Sequence, residues 1–153
     1  MDKEKKTLKI KLIKKGIAID HIKHGKAPEV LKILGISNGF QDSVTLAMNI
    51  PSREMKRKDI VKVENRDLDP KEINKIAIIA PHATINWIKN YKVVKKRSVS
   101  LPEDIVGIVS CPNPSCITNK EREPVKSVFH VTQNEPLILR CKYCEREFSE
   151  GEN

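Results

Sequence analysis

The chain has 153 residues, 39% hydrophobic and 32% charged with only three Phe, two Tyr and one Trp, so a folded protein of one ordinary or two small domains must build its core from Ile, Val and Leu. Its net charge of +9 is uneven, +12 over residues 1–100 and −3 over residues 101–153, which makes the second segment a poor phosphate binder. No apolar run approaches the ~20 residues of a membrane helix and no signal-peptide pattern opens the chain, so a cytoplasmic protein without a membrane partner is expected.

Thr7 to Ile13 alternates, with Leu8, Ile10 and Leu12 on one face and Lys9 and Lys11 on the other, the period of a half-buried strand. Lys14-Lys15-Gly16 offers a turn into Ile17 to Asp20, giving a hairpin or a kinked long strand. Pro28 begins a short helix carrying Val30, Leu31, Ile33 and Leu34, and Gly35 is placed to end it. Val44, Leu46, Met48 and Ile50 again have period two; Pro51-Ser52 interrupts, and Asp59 to Glu64 resumes with Val61 and Val63 inward.

Asp69-Pro70-Lys71-Glu72 supplies the N-cap, the N1 proline and the N3 acid of a capping box, after which Ile73, Ile76, Ala77 and Ala80 recur at helical spacing. Ala83 to Ile88 and Tyr91 to Val94 are strand-like. Strand, helix, strand, strand, helix, strand predicts an α+β chain whose first domain, residues 1–100, is a ferredoxin-like sandwich. Ser98 to Asp104 reads as a linker, and residues 101–153 form a second, β-rich domain whose first element starts near Ile105.

In that second domain Cys111 and Cys116 form C-x₄-C, and Cys141 and Cys144 form C-x₂-C after 24 intervening residues. In a reducing compartment two close pairs read as metal ligands before disulfides. Each pair forms a knuckle aiming two sulfurs at one point, with Pro112 and Pro114 stiffening the first. Four thiolates fill the coordination of one Zn²⁺ and leave no position for water, so the expected role is structural rather than hydrolytic. With the zinc bound, the segment's charge falls to about −5. Val125 to Val131 and Leu137 to Leu139 read as strands joining the knuckles; His130 is a possible extra ligand left unassigned.

Among the polar residues of the basic segment, Asp20, His21, Lys62, Asn86, Tyr91 and Lys96 lie in or at the end of predicted strands, where one sheet could bring them together. Spacing by itself favours a solvated Lys62 over an anion-binding one. Asp20-His21 has neither an identifiable nucleophile nor a third group beside it, which argues against catalysis. Neither GxxxxGK[ST] nor GxGxxG occurs, so phosphate would have to be held by lysine side chains. The strands Val44 to Ile50 and Asp59 to Glu64 hold no aromatic residue on which bases could stack. The competing reading is a basic zinc-containing nucleic-acid-binding protein, disfavoured by the charge split and those missing aromatics.

Five blocks in order carry a resemblance: Gly16-Ile-Ala-Ile-Asp-His-Ile22; Asn49-Ile-Pro-Ser52 with Arg57-Lys-Asp-Ile-Val-Lys-Val-Glu-Asn65; Ala80-Pro-His-Ala-Thr-Ile-Asn86; Asn90-Tyr-Lys-Val-Val94; and Cys111-Pro-Asn-Pro-Ser-Cys-Ile117 with Cys141-Lys-Tyr-Cys-Glu145. Together they resemble the regulatory chain of aspartate carbamoyltransferase. The resemblance implies a non-catalytic chain: a nucleotide-binding allosteric domain over residues 1–100, then a structural zinc domain over residues 101–153 that docks on the catalytic chain. It also implies a second regulatory chain as homodimer partner, and the nucleoside triphosphates CTP, ATP and UTP as effectors of an enzyme of pyrimidine biosynthesis.

By matching positions, Asp20 would meet the base or ribose, Lys62 and Asn86 the nucleoside and Lys96 the triphosphate, with His21 and Lys58 as further members. Ile13, Tyr91 and Val93 would read the edge of the base. The chain departs from the family's pattern in the charged loop Ser52-Arg53-Glu54-Met55-Lys56, where members often carry glycine, and in the lysine-rich stretch Met1 to Lys6.

Overall fold

The computed structural model describes residues 12–122 and 125–149. The chain divides into two compact units between Ser100 and Leu101. Of the strand expected over Thr7 to Ile13, residues 7–11 lie outside the described residues, and Leu12 and Ile13 belong to no strand.

The first unit runs β1 (Lys15–Lys23), α1 (Ala27–Ile33), β2 (Val44–Ser52), β3 (Lys56–Glu64), α2 (Pro70–Ile79), β4 (Thr84–Lys89) and β5 (Lys92–Ser98). The five strands form one antiparallel sheet in the order β2-β3-β1-β4-β5. With α1 between β1 and β2 and α2 between β3 and β4, this is the expected split βαβ arrangement with one strand added beside β4.

Strand alternation puts Ile17, Ile19, Val61, Val63 and Ile85 on one face, and all five are fully buried. Their partners are Val30 of α1 and Ile73, Ile76 and Ala77 of α2, apolar at helical spacing. At the strand entry Gly16 has φ +151° and approaches β3 so closely that a Cβ would stand 2.1 Å from the Val63 carbonyl oxygen, a space only glycine fits.

Helix α2 begins as its sequence dictates. The Glu72 amide donates to Asp69 Oδ1 (2.8 Å) and the Asp69 amide to Glu72 Oε1 (3.1 Å). Helix α1 begins differently: its N-cap, Lys26, supplies no side-chain bond. The fully buried Asp59 of β3 does so instead, accepting from the Gly25 and Ala27 amides (2.9 and 3.1 Å) through one oxygen and from Asn49 (2.7 Å) through the other. Three N–H donors compensate a carboxylate that burial would otherwise penalise. The same bonds fix the bulge of β2 at Asn49, whose φ is +56°.

Several strand limits differ from expectation, and β3, for one, begins at Lys56 rather than Asp59. β5 continues to Ser98, and Val99 still donates to the Ala83 carbonyl, so chain expected to be linker stays attached to the sheet. The alternating β2 forms, but as the border strand, leaving Leu46 41% and Met48 42% exposed.

The second unit is a four-stranded antiparallel sheet in the order β6-β7-β8-β9, from β6 (Asp104–Val106), β7 (Val128–Asn134), β8 (Leu137–Cys141) and β9 (Glu147–Ser149), with a 3₁₀ turn at Ile117–Asn119. Its core comprises Ile105, Phe129, Leu137 and Leu139 together with buried Cys111, Cys116 and Cys141. The three-residue strands β6 and β9 were too short to leave a period in the sequence. So small an apolar core calls for a covalent or metal staple.

Candidate metal centre and effector face

In the second unit each knuckle is shaped by backbone bonds before any ligand is considered. Cys116 donates its amide to the Asn113 carbonyl (3.0 Å), and the Asn119 side chain donates to both the Cys111 and Asn113 carbonyls, each at 2.8 Å. The second knuckle turns at the end of β8: Glu145 donates to the Cys141 carbonyl (2.8 Å) and Cys141 to that of Arg146 (3.0 Å), with Glu145 at φ +64°. The four sulfurs come to lie within 4.8 Å of one another, with Cys111–Cys144 and Cys116–Cys141 separations of 3.7 Å.

A tetrahedron of ~2.3 Å metal–sulfur bonds has edges of about 3.8 Å, so the cluster fits a single four-coordinate ion. Burial drives the Cys111 thiol up to about 12. Burial raises the less deeply placed Cys144 thiol too, but hydrogen bonds from the Arg146 backbone and the Asn113 side chain bring it down to about 7. Four adjacent thiols cannot all ionise without a cation to balance them, and a bound cation would supply that balance.

His130 is not part of this cluster. Its Nδ1 lies 3.0 Å from Asp104 Oδ1, while Lys142, inside the second knuckle, reaches Asp104 Oδ2 at 2.7 Å. The hydrogen bonds from these two side chains, Lys142 first, hold the Asp104 carboxyl below its ordinary range.

In the first unit, strand register gathers most of the other candidates. Ala18 stands opposite Lys62 on β3 and Asn86 on β4, and Asn86 stands opposite Lys96 on β5. Directly opposed residues share a face, so Lys62, Asn86 and Lys96 form one row on the side away from the buried aliphatic row. Asn86 Nδ2 reaches the Ala18 carbonyl at 3.4 Å. Lys62 is half-buried; desolvation lowers its pKa, partly opposed by the charge of Asp20.

Further along β1 from this row the strand bulges between Ile19 and Ile22, with His21 at φ +56°. The bulge presents Asp20 and His21 side by side. Asp20 meets Lys58 at 3.0 Å, and His21 Nδ1 lies 3.0 Å from Thr84 Oγ1. In the other direction, Ile13 packs with Ala18 and Ile88. Tyr91 occupies the β4–β5 turn, 60% exposed, its amide donating to the Lys14 carbonyl (3.1 Å).

The register thus unites Asp20, His21 and Lys58 in one cluster and Lys62, Asn86 and Lys96 in one row, while Tyr91 stands apart at the hairpin turn. Two neighbours were not among the site residues the sequence singled out: Thr84, and Glu54, whose Oε2 is 3.2 Å from His21 Nε2. Only hairpin closure and sheet pairing bring them near, so no local spacing could have revealed them. The face carries cations and amides without a nucleophile, a set suited to holding an anionic, hydrogen-bonding ligand rather than to transforming it.

Residues 8–100 match the family model described as "Aspartate carbamoyltransferase regulatory chain, allosteric domain". Residues 103–153 match the one described as "Aspartate carbamoyltransferase regulatory chain, metal binding domain". The chain is 50% identical over 147 residues to the aspartate carbamoyltransferase regulatory chain of Thermoplasma volcanium, covering 96% of each. It is 53% identical over 148 residues to that of Pyrococcus horikoshii, covering 95% of each. The regulatory chain of Hyperthermus butylicus is 51% identical over 143 residues, 94% of this chain and 89% of the relative.

Proposed function

Because the chain belongs to the aspartate carbamoyltransferase regulatory-chain family, we propose that its allosteric domain binds nucleoside triphosphates (CTP, ATP and UTP) on the Lys62–Asn86–Lys96 face and passes that binding to its catalytic partner. Membership itself makes it a non-catalytic regulatory chain with a metal-binding domain, acting beside a catalytic chain of an enzyme in pyrimidine biosynthesis.

The observation that carries the nucleotide reading is the row itself. A half-buried lysine, an amide and a second lysine are aligned across three strands, with Asp20, His21 and Lys58 clustered beside them further along the strands. In this reading Lys96 meets the triphosphate, Lys62 and Asn86 the nucleoside, Asp20 the base or ribose, and Ile13, Tyr91 and Val93 the edge of the base, with His21 and Lys58 as further members of the site. Lysine ammonium groups are the natural phosphate partners in a domain without a glycine-rich phosphate loop.

Zinc is the ion we assign to the four cysteines, since a tetrahedral, all-sulfur set with no open position suits Zn²⁺ in a structural role. A second regulatory chain is assigned to the β2 border, where a free strand edge carries the exposed Leu46 and Met48. Cytoplasmic residence accords with reduced cysteines held for a metal. Among the described residues, no helix is long and apolar enough to cross a membrane. Nucleic acid is not among the assigned partners, because β2 and β3 present no stacking aromatics.

The mechanism is a linkage. A nucleotide that binds one quaternary state more tightly shifts the catalytic chains toward that state, and a tenfold preference needs only ~1.4 kcal/mol. The test is to reconstitute the chain with its catalytic partner and titrate activity with CTP, ATP and UTP. Lys96→Ala removes a charged contact worth about 1.5–3 kcal/mol, so triphosphate binding and the effector response should both weaken about tenfold or more while the metal content stays unchanged. An unaltered response in that variant would contradict the assignment of the face.

A further inference from the structure

The cluster around His21 contains an anion of the chain's own. Glu54 lies in the β2–β3 turn, and its Oε2 is 3.2 Å from His21 Nε2. The turn that delivers it is well defined: Met55 donates to Ser52 Oγ (3.2 Å), Arg57 to the Met55 carbonyl (2.7 Å), and Lys56 takes φ +64°. His21 is held from the other side, its Nδ1 against Thr84 Oγ1 and its backbone in the left-handed region at the β1 bulge. The ring orientation is thereby set, and Nε2 is aimed at the place the Glu54 carboxylate fills.

The two partners differ in freedom. The His21 side chain is 17% exposed and Glu54 73% exposed, so the imidazole is a fixed element and the carboxylate a replaceable one. With Glu54 this exposed, the pair is weak and is broken at little cost. Asp20 plays the matching part for Lys58, at 3.0 Å. His21 and Lys58 at this end of the face therefore already have carboxylate partners from the chain.

We propose that Glu54 is an internal competitor for polyphosphate: its carboxylate occupies His21 Nε2, and a nucleoside triphosphate binds by taking that place. This deepens the nucleotide reading given above and rests on it. Glu54 then determines specificity by anion charge, weakening triphosphate binding relative to the corresponding uncharged nucleoside. A left-handed non-glycine residue at a bulge beside this pair is the kind of backbone cost that persists where a site needs it.

Calorimetric titration of the full-length, metal-loaded chain with CTP, ATP and cytidine tests this. Glu54→Gln should bind CTP and ATP about two- to fivefold more tightly, the range an exposed pair commands, with cytidine unchanged. Glu54→Asp keeps the charge but shortens the reach, and should move affinity in the same direction. In a His21→Gln background the gain should disappear. Equal triphosphate affinity in the wild type and Glu54→Gln would overturn the proposal. So would an equal gain with and without His21, or a Glu54→Asp variant that behaves as wild type, because each assigns the effect to the field of the charge rather than to occupation of His21. A wild-type chain that binds neither CTP nor ATP would instead overturn the nucleotide reading itself, and this inference with it.

Discussion

Asn119 donates two 2.8 Å hydrogen bonds, to the carbonyls of Cys111 and Asn113, and so closes the first knuckle from outside its own loop. Such supporting bonds fix where the ligating sulfurs point, and their loss typically costs 10–100-fold in metal affinity. Asn119→Ala should therefore release metal to a competing chromophoric chelator about tenfold or more faster than the wild type, with the fold retained while metal is bound. Release at the wild-type rate would show that Pro112 and Pro114 shape the loop unaided. The sequence declared the cysteines by their spacing, but Asn119 carries no such signature, because its partners are main-chain oxygens rather than side chains. Asp59 teaches the same point in the first unit: its residue type is ordinary for a strand end, and only the fold shows it accepting three amide bonds while fully buried.

Among the elements, α2 was legible to its first residue because a capping box is a local code of four positions. Strand β2 was legible only as a strand. Its alternation of Val44, Leu46 and Met48 announced a buried face, yet neighbours in the sheet decide what covers such a face, and β2 has one on a single side. The two borders of the sheet are managed differently: β5 carries Lys92, Lys95, Lys96 and Arg97, charges that discourage pairing with another chain, whereas β2 carries Leu46 and Met48. If the second regulatory chain sits on β2, Leu46→Lys combined with Met48→Lys should convert dimeric regulatory chains to monomers in sedimentation velocity, with far-ultraviolet dichroism unchanged because both side chains are already about two-fifths exposed. A dimer that survives both charges would place the contact elsewhere.

For the whole molecule, the division between Ser100 and Leu101 separates a sheet-and-helix apolar core from a smaller one that includes the buried Cys111, Cys116 and Cys141. Structural zinc sites in peptides contribute ~10–16 kcal/mol of apparent binding energy, more than a core of Ile105, Phe129, Leu137 and Leu139 supplies. Chelation should accordingly unfold residues 101–153 and free the catalytic chain, while the melting transition of the allosteric domain persists. Calorimetry combined with size-exclusion chromatography follows both events. Retained assembly after demonstrated metal loss would detach the docking role from the metal-binding domain.

What the sequence by itself determined is what nearest neighbours encode: strand and helix periods, the capping box of α2, the C-x₄-C and C-x₂-C spacings, and the ordered blocks that carry the family resemblance. These depend on residues a few positions apart, where chain geometry leaves little freedom. What only the tertiary structure decided is which distant side chains share a face. By spacing Lys62 read as a solvated lysine and by resemblance as a ligand contact; the register is what sets it in a row with Asn86 and Lys96, and hairpin closure is what brings Glu54 to His21. Register and bulges are fixed by the cooperative pairing of five strands, and a shift of one residue would send each of these side chains to the opposite face.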